Sequence, residues 1–104
     1  MANDALEVDY FQENVQRLSE GRTKKIARAA GISRTQFSYI INGHCRPSLD
    51  TAMWIANAIN CPLEILLWEP KKLVALEKKI RRRDPHWNGW EDGWEVAGTE
   101  LLAG

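Results

Sequence analysis

Long apolar runs are the first feature that this sequence of 104 residues lacks. A membrane-spanning helix needs about 18 consecutive apolar residues, and no such stretch occurs. The N-terminus, MANDALEVDY, is acidic and has neither the basic start nor the apolar centre of a signal peptide. These absences predict a soluble cytoplasmic protein.

Cysteine and histidine are also scarce, with two of each. Cys45 and Cys61 do not form a CxxC pair, and in a cytosolic chain they are expected to be free thiols. With His44 and His86 they do not have the spacing of metal ligands, so no metal and no cofactor are predicted. No nucleophile, base and orienting acid converge in the sequence pattern, so the chain is not predicted to be an enzyme.

The net charge is zero, but the charges are unevenly distributed. Residues 21–83 contain 13 of the 14 Lys and Arg and only four acidic residues, which gives this part a net charge of +9. Residues 1–20 carry −4 and residues 84–104 carry −5. Clustered positive charge is typical of phosphate binding, whereas the alternative is a set of solvated helix faces.

Residues 23–42, TKKIARAAGISRTQFSYIIN, contain two short helical patterns separated by a tight turn. Apolar residues at helical spacing define the buried face of each pattern: Ile26, Ala27 and Ala30, then Phe37, Ile40 and Ile41. Gly31 can adopt the left-handed conformation that ends a helix, and Ser33 can cap the next one. Two helices joined this closely predict a helix-turn-helix.

Further helices are predicted at about residues 9–20, 49–60, 62–68 and 69–83. Their predicted buried residues recur every three or four positions: Phe11, Val15, Leu18, Leu49, Ala52, Met53, Ala56, Ile59, Leu63, Leu66, Leu67, Leu73, Leu76 and Ile80, with Trp54, Ile55 and Val74 beside them. No segment predicts a strand, so the expected fold class is all-α. Residues 1–68 form the helix-turn-helix domain, residues 69–83 a C-terminal amphipathic helix, and residues 84–104 an acidic Trp-rich tail.

The last helix and the tail leave alternatives open. The narrow apolar stripe of residues 69–83 either folds back on the domain or pairs with a second copy. In the tail, Trp87, Trp90 and Trp94 have helical spacing, but three glycines oppose a stable helix. The tail is therefore either a hairpin-like appendage or a segment that becomes ordered only on contact.

The stretches IARAAGISRTQFSYIINGHCRPS and LDTAMWIANAINCPLEILL resemble the phage-repressor and Cro-like helix-turn-helix family, often called the Xre family. They contain, in the family's order, an apolar-Ala pair in helix two, a Gly-apolar-Ser turn, a loop ending in Pro-Ser, and an Ile-Ala-x-Ala helix. Two positions depart from the family. Ile41 stands where the family often has a Glu that pairs with an Arg of helix one, and Thr23 stands where it often has a Gln.

The resemblance implies a five-helix, lambda-repressor-like domain that binds double-stranded DNA and regulates transcription. It would act in the cytoplasm of a bacterial or phage-infected cell, on the nucleoid when bound. Helix three would enter the major groove with its outward side chains as base readers: Arg34, Thr35, Gln36, Ser38 and Tyr39. Arg34 can donate two hydrogen bonds to guanine, Gln36 can pair with adenine, and the Thr35 methyl suits a thymine methyl.

Phosphate contacts are expected on both sides of that helix, from Thr23, Lys24, Ser33, Asn42, His44 and Arg46. Thr23 and Lys24 begin helix two, where free amides and the helix dipole favour anions. For Arg34 the alternative is an ion pair on the helix surface. For Tyr39 the alternatives are packing on the domain or a hydrogen bond to a phosphate.

A domain of this size contacts one half-site, so a homodimer is expected, with residues 69–104 as its candidate interface. The leading hypothesis is a phage or prophage-type repressor on a palindromic operator. One alternative is the DNA-binding antitoxin of a toxin–antitoxin pair, whose tail would bind the toxin through its tryptophans. The other is a protein-interaction module that has lost DNA binding, which the basic block and Arg34 count against.

Overall fold

The computed structural model describes residues 8–92, which form six α-helices and one short 3-10 helix. In chain order they are α1 (Val8–Leu18), α2 (Thr23–Ala30), α3 (Arg34–Ile41), α4 (Leu49–Ile59), α5 (Leu63–Leu66), α6 (Pro70–Arg83) and the 3-10 helix Trp90–Asp92. No strand occurs among residues 8–92, and the predicted all-α fold class is confirmed. In the same part of the chain, no helix is long and apolar enough to cross a membrane.

Short polar residues set the ends of α4. Ser48 has an extended backbone, and its Oγ accepts a hydrogen bond from the Thr51 amide at 3.2 Å, so it caps the helix. At the other end, Asn60 adopts the left-handed conformation with φ of 71°. Its amide is bonded to the carbonyls of the last turn, so the helix stops there and the chain turns towards α5.

One hydrophobic core joins all six helices. α2 packs on α4 and α3, whereas α1 packs on α3, α5 and α6. The largest fully buried apolar side chains come from all six of these helices: Phe11, Val15, Ile26, Phe37, Ile40, Ile55, Ile59, Ile65, Leu66, Leu73 and Ile80. A polar bond supports the same packing, since the buried Asn14 Nδ2 donates to the carbonyl oxygens of Leu66 and Trp68 at 2.8 and 2.9 Å.

The predicted buried face of α4 is partly wrong. Leu49 and Met53 are 56% and 47% exposed, whereas Ile55, placed beside the stripe, is fully buried. The stripes through residues 49, 52, 56 and 59 and through 52, 55, 56 and 59 both fit the helical period. Packing on α2 and α5 selects the second stripe. The helix is therefore rotated towards Ile55, and its first turn presents apolar side chains to solvent.

The open question about residues 69–83 is answered by α6, which folds back on its own domain. Leu73, Leu76 and Ile80 are buried, and the helix lies against α1. Glu77 is on the same inward face and is 4% exposed. Arg17 of α1 donates to its two oxygens at 3.1 and 2.9 Å, so the carboxylate is compensated by a bidentate partner.

Both alternatives for the tail are wrong for residues 84–92, because this segment is ordered against the core. Trp87 and Trp90 are 5% and 2% exposed, and their rings meet edge to face with centroids 5.4 Å apart. Trp90 Nε1 donates to Glu77 at 2.9 Å, and Asn60 Nδ2 donates to the Trp90 carbonyl at 2.8 Å. Trp94 lies outside the described residues.

Replacing Trp90 with Ala should destabilise the whole domain, because it leaves a cavity and removes a donor from Glu77. We expect a loss of about 3–5 kcal/mol in the free energy of unfolding. For a domain of this size, the melting temperature should fall by more than about 10 °C in thermal circular dichroism.

His86→Ala is the control, because it alters an exposed side chain of the same segment. Its effect should stay within about 0.5 kcal/mol. Equal melting temperatures for the Trp90 variant and the unmodified protein would show that residues 84–92 do not contribute to the fold.

Candidate nucleic-acid interface

The turn between α2 and α3 has the geometry that its sequence predicts. Gly31 has φ of 76°, and its amide bonds to carbonyls of the last turn of α2, which ends the helix. Ser33 is extended, and its Oγ accepts from the Gln36 amide at 3.0 Å, which begins α3. Ala27 is 1% exposed, and a residue this small lets α2 pack closely with α3 and α4.

α3 has one buried and one exposed face. Phe37, Ile40 and Ile41 are buried, as predicted, and they fix the rotation of the helix in the domain. The five side chains predicted to read bases are all exposed: Arg34, Thr35, Gln36, Ser38 and Tyr39. Tyr39 is 53% exposed, so its ring is not packed into the domain.

A shallow groove of about 560 Å³ separates the start of α2 from the exposed face of α3. Its lining brings together Thr23 and four of the predicted base readers, with one buried residue behind them: Thr23, Arg34, Thr35, Ser38, Tyr39 and Ile41. Gln36 is outside this lining. A predicted phosphate-binding group and predicted base-reading groups therefore share one surface.

The loop after α3 places three more predicted residues beside that helix. The His44 amide donates to the Tyr39 carbonyl at 2.8 Å. The rings of the two residues meet edge to face, with their centroids 6.2 Å apart. Asn42 Nδ2 donates to Ser38 Oγ at 3.3 Å. Arg46 follows in the same exposed loop. Asn42 and His44 are thus held at the C-terminal end of α3, whereas Ser33 caps its N-terminal end.

The cations of this surface differ in whether they are already paired. Among the described residues, Arg34, Lys24 and Arg46 form no ion pair, which leaves their charges available to an anion. Glu91 pairs instead with Arg22, the residue before α2, and lies 3.7 Å from Lys25. The surface ion pair weighed as an alternative for Arg34 is absent from residues 8–92.

Sequence reasoning missed two contacts that support the interface. Gln12 Nε2 donates to the Ile41 carbonyl at 2.8 Å, which joins α1 to the end of α3. Glu91 holds Arg22, whose guanidinium also donates to the Leu18 carbonyl at 2.6 Å. The partners in these long-range bonds are 29 and 69 residues apart, and no periodicity or local motif links them.

The two cysteines lie in different environments. Cys45 is an exposed free thiol in the loop after α3, next to His44 and Arg46. Cys61 is a buried free thiol behind α4, and burial raises the pKa of its thiol. No group of His, Cys, Asp and Glu within residues 8–92 could hold a metal ion.

A comparison with known protein families matches the part of the chain that contains this surface. Residues 16–66 match the family model described as helix-turn-helix. The match runs from the last turn of α1 to the end of α5, so it contains the groove and the loop after α3. No curated protein and no solved structure matches the chain.

Cys45 and Cys61 should react differently with a thiol reagent. In the native protein we expect Cys45 to react rapidly with dithionitrobenzoate, while Cys61 reacts only after unfolding in urea. Because the pKa of Cys61 is raised, its reactive thiolate should stay scarce even at about pH 9.

Cys45→Ser provides the control, since that variant should show no fast thiol at all. Two fast thiols in the folded, unmodified protein would contradict the burial of Cys61.

Proposed function

Residues 16–66 belong to the Xre/Cro-like helix-turn-helix family, and from this premise we propose a specific role for the chain. It is a sequence-specific repressor of phage or prophage type that occupies a palindromic operator in double-stranded DNA as a dimer. The observation that carries the proposal is the exposed face of α3. Arg34 extends from that face without an ion pair to any described residue.

The exposed residues of α3 suit direct readout in the major groove, where each base pair presents a distinct set of donors and acceptors. Arg34 lies in the first turn, the part of a recognition helix that reaches base edges. Its guanidinium would donate to O6 and N7 of guanine. The side-chain amide of Gln36 would donate to N7 of adenine and accept a hydrogen bond from the N6 amino group. Thr35 offers a methyl group for thymine, and Ser38 and Tyr39 offer hydroxyls.

Phosphate contacts would then fix the orientation of α3 in the groove. Thr23, which lines the groove, and Lys24 begin α2, where free helix amides favour an anion. On the other side, Asn42, His44 and Arg46 would contact the second stretch of backbone. Ser33 caps α3 through its side chain, so its Oγ would contribute to both the fold and the edge of the interface.

A dimer would give this small reading surface useful affinity, because two half-sites are bound at once. Residues 69–104 were the expected interface because of their apolar side chains. In the structure, five of these side chains are buried within one chain and are not available to a second copy: Leu73, Leu76, Ile80, Trp87 and Trp90. Among the described residues away from α3, apolar exposure is concentrated on α4, at Leu49, Met53 and Trp54. We place the contact between copies there.

The two other hypotheses receive less support. An antitoxin would use the tail tryptophans as anchors for a toxin, but Trp87 and Trp90 are occupied by the core. A protein-interaction module without DNA binding would have no use for an unpaired Arg34 beside Thr23 and Lys24. The exposed cations of α2 and α3 therefore count against the module without DNA binding, and the burial of Trp87 and Trp90 counts against the antitoxin.

Two substitutions separate base reading from phosphate contact. Arg34→Ala should abolish the preference for the operator over a scrambled duplex, with a loss of about 1–3 kcal/mol in discrimination. Lys24→Ala should weaken binding to both duplexes alike and lower the slope of log affinity against log salt by about 1. Fluorescence anisotropy with labelled duplexes at several salt concentrations measures both quantities.

Lys24→Ala is the matched control, since it removes one exposed cation without altering α3. The base-reading role of Arg34 is refuted if both variants lose affinity equally for the operator and the scrambled duplex.

A further inference from the structure

Every charged side chain on the outward face of α6 is basic, and the exposed Ala75 lies among them. Lys71, Lys78 and Arg82 follow one another at intervals of seven and four residues, so they form one line along the helix. Lys72 and Lys79 form a second line beside it. All five side chains are exposed. The only acidic residue of the helix, Glu77, is on the opposite, buried face.

Helix stability accounts only for Arg82, which is in the last turn of α6, where the helix dipole favours a cation. Lys71 and Lys72 are in the first turn of α6, where the helix dipole disfavours cations and where no acidic residue is present. Lys78 and Arg82 are four residues apart, a spacing at which like charges repel. An exposed helix that served only solubility would gain from alternating signs, which α6 lacks.

The described residues do not neutralise these five cations. Glu77 is engaged by Arg17 and Trp90 on the inner face, and none of the ion pairs among residues 8–92 involves Lys71, Lys72, Lys78, Lys79 or Arg82. The acids nearest in sequence, Glu69 and Asp84, flank the helix at its two ends. The face therefore carries a net positive charge that is open to solvent.

The packing of α6 brings its last turn close to the edge of the candidate interface. The Arg17–Glu77 pair sets the middle of α6 against the last turn of α1. The last turn of α6 then lies near the start of α2, since Arg81 and Arg22 border one groove of about 350 Å³. Arg22 directly precedes Thr23, and Glu91 lies between the two helices in the same groove.

We infer that the outward face of α6 is a second, sequence-independent binding surface for the phosphates of duplex DNA. It contacts backbone beyond the stretch that α2, α3 and the following loop occupy. The inference rests on the proposed function only in taking duplex DNA as the ligand, because lysines without positioning partners supply charge and no base readout. It lies outside residues 16–66, the part that matches the family.

The test removes three of these charges from the full chain in the variant Lys78→Gln, Lys79→Gln, Arg82→Gln. Affinity for a duplex of about 30 base pairs is measured by anisotropy between about 50 and 200 mM salt. Each phosphate contact contributes about 0.9 to the salt slope, so we expect the slope to fall by roughly 2–3. The ratio of affinities for the selected and scrambled sequences should not change.

A charge-conserving variant, Lys78→Arg, Lys79→Arg, Arg82→Lys, is the matched control and should keep the original slope. Thermal circular dichroism of both variants checks folding. The neutral variant should melt close to the unmodified protein, because the loss of like-charge repulsion is offset by the loss of the Arg82 charge from the last turn. A duplex of about 10 base pairs, one helical turn, should show a smaller difference between variants than the longer duplex.

An unchanged salt slope for the neutral variant on the longer duplex would overturn the inference. The inference would also be overturned if the neutral variant no longer bound phosphatidylserine–phosphatidylcholine vesicles but kept the DNA binding of the unmodified protein. The partner of α6 would then be an anionic membrane. If the unmodified protein binds all sequences alike but the slope still falls, the proposed function fails and this inference stands. If the unmodified protein prefers the selected sequence but the neutral variant has an unchanged salt slope, this inference alone is overturned and the proposed function stands.

Discussion

Glu77 is a carboxylate in the middle of α6 that is 4% exposed, and the arrangement of the C-terminal half depends on how it is compensated. A buried charge without partners costs more free energy than a marginally stable domain can spare. Arg17 supplies two hydrogen bonds from α1, and Trp90 Nε1 supplies a third from the segment after α6. One carboxylate therefore joins α1, α6 and the 3-10 helix, three elements that are distant in sequence.

The same network joins α1 to α6, while a separate bond joins α1 to α3. Ile41 is buried at the end of α3, at a position where Glu was expected from the family resemblance. Arg17 of α1 pairs with Glu77 of α6. The link between α1 and α3 is kept by Gln12, which donates to the Ile41 carbonyl. α6 is thereby part of the core, and its last turn lies near the start of α2.

The sequence predicted those parts of the fold that depend on neighbouring residues. The stop at Gly31, the cap at Ser33 and the inward face of α3 are encoded within a few positions, and that face leaves the candidate base readers exposed. The burial of Trp90 was not predictable, because its partner Glu77 is 13 residues away and the intervening glycine and proline indicate only a turn. The face of α4 was misassigned because two stripes fit one period, and only packing against α2 and α5 decides between them.

Selection of bound sequences from random double-stranded DNA tests most directly whether α3 reads bases. The account predicts an enriched palindrome whose half-sites are centred about one helical turn, roughly 10 base pairs, apart. It also predicts that selection with the Arg34→Ala variant loses one position, a guanine, in each half-site. A pool that remains random after binding, or the same enriched sequence from both proteins, would contradict it.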